Sequence, residues 1–218
     1  MGLRGRLFAT FYDRQMAGTE KAGLAGWRRD LIARAHGDVI EIGAGTGANC
    51  QLYGPAVTSL TLTEPEKPMF NRLEKRAATD APNATVLCAP AEDLPFDDNS
   101  FDVAVSTLVL CGVADQPRAL RQLRRVLRPG GTLLFLEHVR ADDAKLAHKQ
   151  DRMNRINQLV VGCDCNRPTL HSIEDAGFTV THLERETLPK SPSFVRPTII
   201  GTATVPMNAV VDAAKGSL

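Results

Sequence analysis

Two carboxylates and a set of glycines form the pattern in this sequence that best predicts chemistry. Glu41 lies in the apolar run 39–42, which is followed at once by Gly43, Gly45 and Gly47. An apolar run that ends in alternate glycines predicts a buried strand, a tight turn and then a helix. Such a turn lets a ligand approach bare backbone and points the N–H groups of the helix at it. We therefore expect this segment to bind a ligand.

Two adenosine-containing ligands fit this turn. Gly43, Gly45 and Ala48 satisfy the dinucleotide pattern G-x-G-x-x-[G/A], so the turn alone does not separate them. Glu41 would repel a pyrophosphate, whereas S-adenosylmethionine (SAM) carries an ammonium and a sulfonium and has no phosphate. Glu64 follows the next apolar stretch about twenty residues on, where a doubly wound fold places the acceptor for the ribose hydroxyls. The two acids together favour SAM.

Composition excludes several other classes of protein. The chain has 218 residues, 43% hydrophobic and 23% charged, which suits one soluble globular domain. A formal net charge of +1 gives no general attraction to nucleic acid, so we expect no nucleic-acid partner. One predicted helix is rich in arginine, which we interpret as a solvated helix face. These arginines are Arg118, Arg121, Arg124, Arg125 and Arg128.

The cysteines and the hydropathy pattern predict a cytoplasmic protein. Five cysteines make an odd and scattered set, which is not typical of a disulfide framework and indicates a reducing compartment. The lone pair Cys163 and Cys165 is weak evidence for a metal site, and we predict none. No stretch approaches the ~20 apolar residues of a membrane-spanning helix, and residues 1–12 lack the continuous apolar region of a signal peptide.

Apolar periodicity predicts strands that alternate with helices. The predicted strands are residues 39–42, 57–63, 84–88, 101–107, 132–137, 178–183 and 198–205. Six helices are predicted: residues 24–35, a segment after Gly47, one around 69–73, one after Asp115, a mobile one over 141–160, and 168–176. In the helix after Asp115, the side chains expected to face inward are Ala119, Leu120, Leu123, Val126 and Leu127. Pro129-Gly130-Gly131 is expected to end this helix. The alternation predicts an α/β fold with a mainly parallel sheet and ligands at the carboxyl ends of its strands.

Three segments together resemble class I SAM-dependent methyltransferases. They are residues 41–47 (EIGAGTG), 91–102 (AEDLPFDDNSFD) and 127–131 (LRPGG), in the order and spacing of that family. The resemblance covers residues 38–140 and implies a Rossmann-like, seven-stranded, mostly parallel sheet that closes with an antiparallel strand pair and has helices on both faces. It also implies SAM as cofactor and S-adenosylhomocysteine as product. We expect a helical lead-in over 1–36, one methyltransferase domain over 37–207 and a frayed tail over 208–218.

The resemblance assigns the cofactor contacts. The glycines would pass beneath the methionine moiety of SAM, and Glu64 would accept both ribose hydroxyls. Met69 would lie against adenine or fill ordinary core. Many relatives have an aspartate where Pro90 stands, so adenine would be bound by the backbone near Ala91 or by Glu92. The expected cofactor-binding residues are Glu41, Gly43, Ala44, Gly45, Gly47, Asn49, Glu64, Pro65, Met69, Ala91, Glu92, Ser106, Thr107 and Leu108.

Three residues are candidates for catalysis. His138, at the end of the fifth strand, would orient or deprotonate the nucleophile, or be held structurally by a hydrogen bond. Tyr12, with Phe8, would cover the cofactor as a lid or pack against the sheet. Cys111 would line the acceptor pocket or serve as a small buried hydrophobe.

A narrower similarity suggests the acceptor. Residues 106–113 (STLVLCGV), 126–131 (VLRPGG) and 137–139 (EHV) are similar to the methyltransferase-like 7 proteins, which methylate thiols. A free thiol has a pKa near ~8.5, so a weak base suffices to supply thiolate. We therefore hypothesise S-methylation of a small, fairly apolar thiol. The alternatives are O- or N-methylation of a quinol, phenol or phospholipid headgroup, methylation of arsenite held by convergent thiols, and SAM binding without turnover.

Overall fold

The computed structural model describes residue 14 and residues 16–207, except for the side chains of residues 160 and 161. The expectations for Phe8 and Tyr12, and for the tail over 208–218, lie outside this part of the chain.

A seven-stranded sheet forms the centre of the fold. Its strands are β1 (Gly37–Ile42), β2 (Val57–Thr63), β3 (Thr85–Leu87), β4 (Phe101–Thr107), β5 (Leu127–His138), β6 (Thr179–Thr187) and β7 (Pro197–Thr204). The strand order is β3-β2-β1-β4-β5-β7-β6. Strands β1 to β5 pair in parallel, whereas β7 is antiparallel to both β5 and β6. The predicted sheet with its antiparallel C-terminal pair is confirmed.

The α-helices whose bounds lie within the described residues cover both faces of this sheet. They are α1 (Ala25–Ile32), α2 (Lys67–Asp80), α3 (Gln116–Val126), α4 (Ala144–Val161) and α5 (Thr169–Asp175), and a short π-helix (Glu20–Leu24) leads into α1. Leu73 of α2 packs with α1 in one buried cluster, whereas Leu123 of α3 and Ile173 of α5 belong to another. Neighbouring residues of β4 divide between them, since Ala104 faces the second cluster and Val105 the first. This alternation buries the sheet on both faces.

Helix α3 begins where the sequence predicted. Oδ1 of Asp115 accepts a hydrogen bond from the N–H of Arg118 at 2.9 Å, which caps the first turn. The five side chains predicted to face inward are all buried. Two of the clustered arginines are not simply solvated, however. Arg125 donates to the carbonyl oxygens of Phe96 and Leu94 and so holds that loop to the helix, whereas Arg128 lies in β5 and forms ion pairs with Asp38 of β1 and Asp102 of β4.

Two local predictions were wrong. The segment after Gly47 forms turns and a 3₁₀ helix (Cys50–Leu52), because Pro55 follows too soon for an α-helix to propagate. The glycines of Pro129-Gly130-Gly131 do not separate α3 from β5 but lie inside β5, where the pairing with β4 shifts register between Phe101 and Val103. A Cβ on Gly131 would lie 2.7 Å from a backbone oxygen, so this irregular start to the strand requires glycine.

Helix α4 occupies the segment expected to be mobile, and hydrogen bonds from its buried side hold it to the rest of the fold. Gln150 is fully buried, and its Nε2 donates to the carbonyl oxygens of Val139 (2.9 Å), Cys165 (2.7 Å) and Phe194 (3.1 Å). Its Oε1 accepts from the N–H of Ala141 at 2.8 Å. One amide thus ties the helix to the end of β5 and to two loops.

Candidate active site

A cavity of about 330 Å³ opens where β1 and β4 end. The glycine turn, Glu41, Thr107 and Leu108 line it from the sheet side. Met16, Glu20 and Arg28 line it from the N-terminal segment, and Arg76 of α2 also reaches it. The cavity therefore lies at the carboxyl ends of the parallel strands, which is where the alternating pattern predicted a ligand site.

The glycines shape the floor of this cavity for different reasons. Gly43 has φ of 55°, and a Cβ there would lie 2.5 Å from a methyl group of Val109, so this position needs both the conformation and the space. Gly45 has φ of 61°, but a Cβ there would meet nothing closer than 3.9 Å. The space above Gly45 is therefore open to a ligand that approaches the backbone closely.

Glu41 is a buried acid in the cavity wall. It is 2% exposed, and its two oxygens accept hydrogen bonds from Asn49 Nδ2 at 2.8 Å and Tyr53 Oη at 2.6 Å. Burial raises the pKa of the Glu41 carboxyl, and these hydrogen bonds and the charge of Arg28 oppose that rise.

Arg28 was missed by the sequence analysis. It is 5% exposed, and its Nη1 donates to Thr107 Oγ1 at 2.7 Å and to Asn49 Oδ1 at 3.3 Å, while its Nε pairs with Glu20 at 3.1 Å. A signal was present, because Arg28 falls at helical spacing between the buried residues Leu24 and Leu31. A guanidinium and a carboxylate in one cavity wall suit a zwitterionic ligand such as the amino-acid end of SAM.

Glu64 lies at the end of β2 beside the glycine turn. Its Oε2 accepts from the N–H of Gly45 at 2.9 Å and its Oε1 from the N–H of Glu66 at 2.9 Å. Burial raises its pKa, and the same two N–H groups oppose the rise. Each carboxylate oxygen can accept a second hydrogen bond, so the contacts to the turn leave capacity for ribose hydroxyls.

Other predicted cofactor contacts are further from the cavity. Ser106 does not line it, and its hydroxyl donates to Glu137 Oε1 at 2.6 Å, since neighbouring strand residues point to opposite faces. Glu92 accepts from the N–H groups of Ala114 and Asp115, so its carboxylate holds the connection that precedes α3. Met69 and Ala91 are buried and Pro65 is exposed, and none of the three lines the cavity. Ala44, with its N–H bonded to the carbonyl of Thr63 at 2.8 Å, does line it.

Cys111 and His138 do not line the cavity either. A hydrogen bond with Cys163 and burial raise the pKa of the Cys111 thiol well above its usual value, so the thiol stays protonated. Burial lowers the pKa of His138 to about 4, and its Nδ1 has no hydrogen-bond partner among the residues described. His138 is therefore neutral at physiological pH.

No three His, Cys, Asp or Glu side chains come together as a possible metal site within the described part of the chain. In the same part, no helix has the length and hydropathy needed to cross a bilayer.

Comparison with known proteins identifies the family. Residues 40–135 match the methyltransferase domain model. The human thiol S-methyltransferase TMT1A is 32% identical over 202 residues, which cover 90% of this chain and 82% of TMT1A. The human thiol S-methyltransferase TMT1B is 34% identical over 171 residues, 76% of this chain and 69% of TMT1B. A SAM-dependent methyltransferase from Thermotoga maritima, described as a possible histamine N-methyltransferase, superposes with a TM-score of 0.68 at 25% identity over 91% of this chain and 97% of that structure.

The fold, the glycine turn flanked by acids and these relatives agree. The chain belongs to the class I SAM-dependent methyltransferase family, and it is an enzyme that uses SAM as its methyl donor.

Proposed function

We propose that this methyltransferase transfers the methyl group of SAM to the sulfur of a small, apolar thiol. The observation that carries the proposal is the absence of a free base from the cavity wall, as far as the described residues go. The acids that line it are engaged, since Glu20 pairs with Arg28 and Glu41 accepts two hydrogen bonds, and no histidine among the described residues lines it. The names of the human relatives point to the same acceptor.

Arg28, Glu41 and the glycine turn in the cavity wall would fix the donor together with Glu64, which does not line the cavity but bonds to Gly45 of its wall. Arg28 would bind the carboxylate of the methionine moiety, and the ammonium group would lie near Glu41 and the glycine turn. Glu64 would accept the ribose hydroxyls from the position where it already holds Gly45. SAM supplies an activated methyl group, so the protein contributes alignment and the exclusion of water rather than activation of the donor.

The acceptor decides how much help the nucleophile needs. A thiol ionises near pH ~8.5, so a useful fraction is thiolate near neutrality without a dedicated base. A phenol ionises near ~10, and an amine must also lose a proton, so both require a positioned base. His138, the candidate base, does not line the described cavity, which favours the thiol over these acceptors.

The arsenite alternative is less well supported. It requires three convergent thiols, and Cys111 and Cys163 do lie in contact. Cys165 is fully buried, and its Sγ lies 3.6 Å from the side-chain oxygen of Asn154, and the described thiols do not come together as a group of three that could hold a metalloid.

A panel assay tests the acceptor. Purified protein and SAM are mixed with an alkyl thiol, a phenol, an amine or arsenite, and release of S-adenosylhomocysteine is measured. We expect turnover with the thiol alone. Turnover of the phenol or amine with an inert thiol would show that the proposed acceptor is wrong.

A matched pair of variants tests the donor site separately. Glu64→Ala should weaken SAM binding by about tenfold or more, because a buried carboxylate that accepts hydroxyl hydrogen bonds is lost. Glu66→Ala removes an exposed acid two residues away and should bind SAM normally. Equal affinity for the two variants would remove Glu64 from the ribose site.

A further inference from the structure

Helix α4 exposes two large aliphatic side chains side by side. Ile156 is 56% exposed and Leu159 is 83% exposed, and in the described part of the chain Met207 is the one other large hydrophobic residue so exposed. A single exposed aliphatic residue is common on protein surfaces. Two residues three positions apart on one helix, however, form a continuous apolar spot.

The surface around this spot is cationic. The exposed cations of α4 are Lys145, Lys149, Arg152 and Arg155, of which Lys149 also donates to Ser193 Oγ at 2.8 Å. Arg152 and Arg155 lie four residues before Ile156 and Leu159, so they border the apolar spot directly. Asp151 is the acid of this helix, and Arg140 engages both of its oxygens, at 2.6 and 2.9 Å. We call the four cations together with Ile156 and Leu159 the α4 outer face.

The fold does not use the aliphatic residues of this face. Helix α4 is held by amides on its opposite side: Gln150 as described above, Asn154 through Asp164 at 2.8 Å, and Asn157 through the carbonyl of Cys163 at 2.6 Å. The contacts that seat the helix therefore leave Ile156 and Leu159 without a partner in the described structure.

We propose that the α4 outer face binds the surface of an anionic lipid bilayer. The cations would lie at the level of the phosphates, where each Lys or Arg strengthens binding roughly fivefold, and the two aliphatic side chains would enter the headgroup boundary. A convex helix with long cationic side chains around an apolar spot matches a planar anionic surface better than it matches a protein groove.

Helix α4 lies at the same edge of the sheet as the cavity, because Gln150 bonds it to Val139 at the carboxyl end of β5. The loop after α4 bonds to the connection that follows β4, where the N–H of Asp164 donates to the carbonyl of Cys111 at 2.8 Å. The proposal goes beyond the chemistry of methyl transfer and does not depend on the identity of the acceptor.

Vesicle sedimentation of the full-length protein tests the proposal. The vesicles contain either phosphatidylcholine alone or equal parts of phosphatidylcholine and phosphatidylglycerol. We expect binding to the mixed vesicles only, and expect it to fall as salt is added. Ile156→Ser with Leu159→Ser, and separately Arg152→Gln with Arg155→Gln, should each weaken binding by about tenfold or more.

Two controls separate this face from general effects. Met207→Ser removes the other exposed apolar side chain, and Arg118→Gln with Arg121→Gln removes two exposed cations of α3, and both should leave binding unchanged. The proposal is overturned if the wild type does not sediment with mixed vesicles, or if binding survives both α4 double variants. It is also overturned if the wild type is a dimer that Ile156→Ser with Leu159→Ser dissociates, because a second copy then covers the face.

Discussion

Replacing Glu137 by glutamine should make the protein more stable above neutral pH. Glu137 is fully buried at the end of β5, and its Oε1 accepts from Ser106 Oγ at 2.6 Å and from the N–H of Val109 at 3.1 Å. Burial raises the pKa of Glu137 from 4.5 to about 7, although these hydrogen bonds oppose the rise. The glutamine oxygen can keep both hydrogen bonds, and its amide would replace Oε2, which has no partner among the described residues, although the N–H groups of Leu110 and Cys111 also favour the carboxylate.

The sign and size of the effect follow from linkage. Because the pKa of Glu137 is higher in the folded protein than in the unfolded chain, its favourable contribution is complete below pH 4.5 and is lost as the pH rises through about 7. A rise from 4.5 to about 7 corresponds to about 3 kcal/mol. The buried amide of the variant costs about 1–2 kcal/mol at every pH. We therefore expect Glu137→Gln to be less stable than the wild type near pH 4.5 and more stable by about 1–2 kcal/mol at pH 8.

Urea unfolding of both proteins at the two pH values measures this directly. The decisive quantity is how much the difference in unfolding free energy between variant and wild type changes from pH 4.5 to pH 8. The cost of burying the amide is the same at both pH values, and Glu41 titrates in both proteins, so neither contributes to that change. Glu186→Gln, at an exposed position in β6, controls for the loss of one acid. If the difference in unfolding free energy is the same at both pH values, burial does not raise the pKa of Glu137 in the folded protein, and the reasoning is refuted.

Three further substitutions test the site and its support. Gly43→Ala should cost about 2–3 kcal/mol in thermal unfolding, because its Cβ would lie 2.5 Å from a valine methyl group at a φ of 55°, whereas Gly54→Ala, with nothing within 4 Å, should be close to neutral. Arg28→Lys should weaken SAM binding about tenfold by calorimetry, because one ammonium cannot replace the guanidinium fork, and the exposed Arg29→Lys should not. Gln150→Leu should destabilise the fold by about 3 kcal/mol or more in urea, because four buried or half-buried backbone groups lose their partner. Wild-type behaviour in any of them would contradict the role given to that side chain.

The sequence by itself determined the features that depend on local patterns. The apolar runs predicted the strands, since a buried parallel strand is apolar on both faces. Asp115 predicted the start of α3, because the capping hydrogen bond joins residues only three apart. Glu41 and Glu64 were found because Glu41 lies next to the end of one apolar run and Glu64 directly follows another, and parallel strands bring such ends to one edge of the sheet.

The tertiary structure decided which side chains meet across long stretches of chain. Arg28 bonds to Thr107, which lies 79 residues away, and no local pattern specifies that pairing. Ser106 and Thr107 are neighbours in sequence, yet only Thr107 lines the cavity, because a strand turns successive side chains to opposite faces and only the packed sheet fixes which face holds the ligand. The carboxylate of the site was therefore predictable from its own strand, whereas the partner of the buried guanidinium was decided only when α1 packed on the sheet and brought Arg28 to Thr107 at the end of β4.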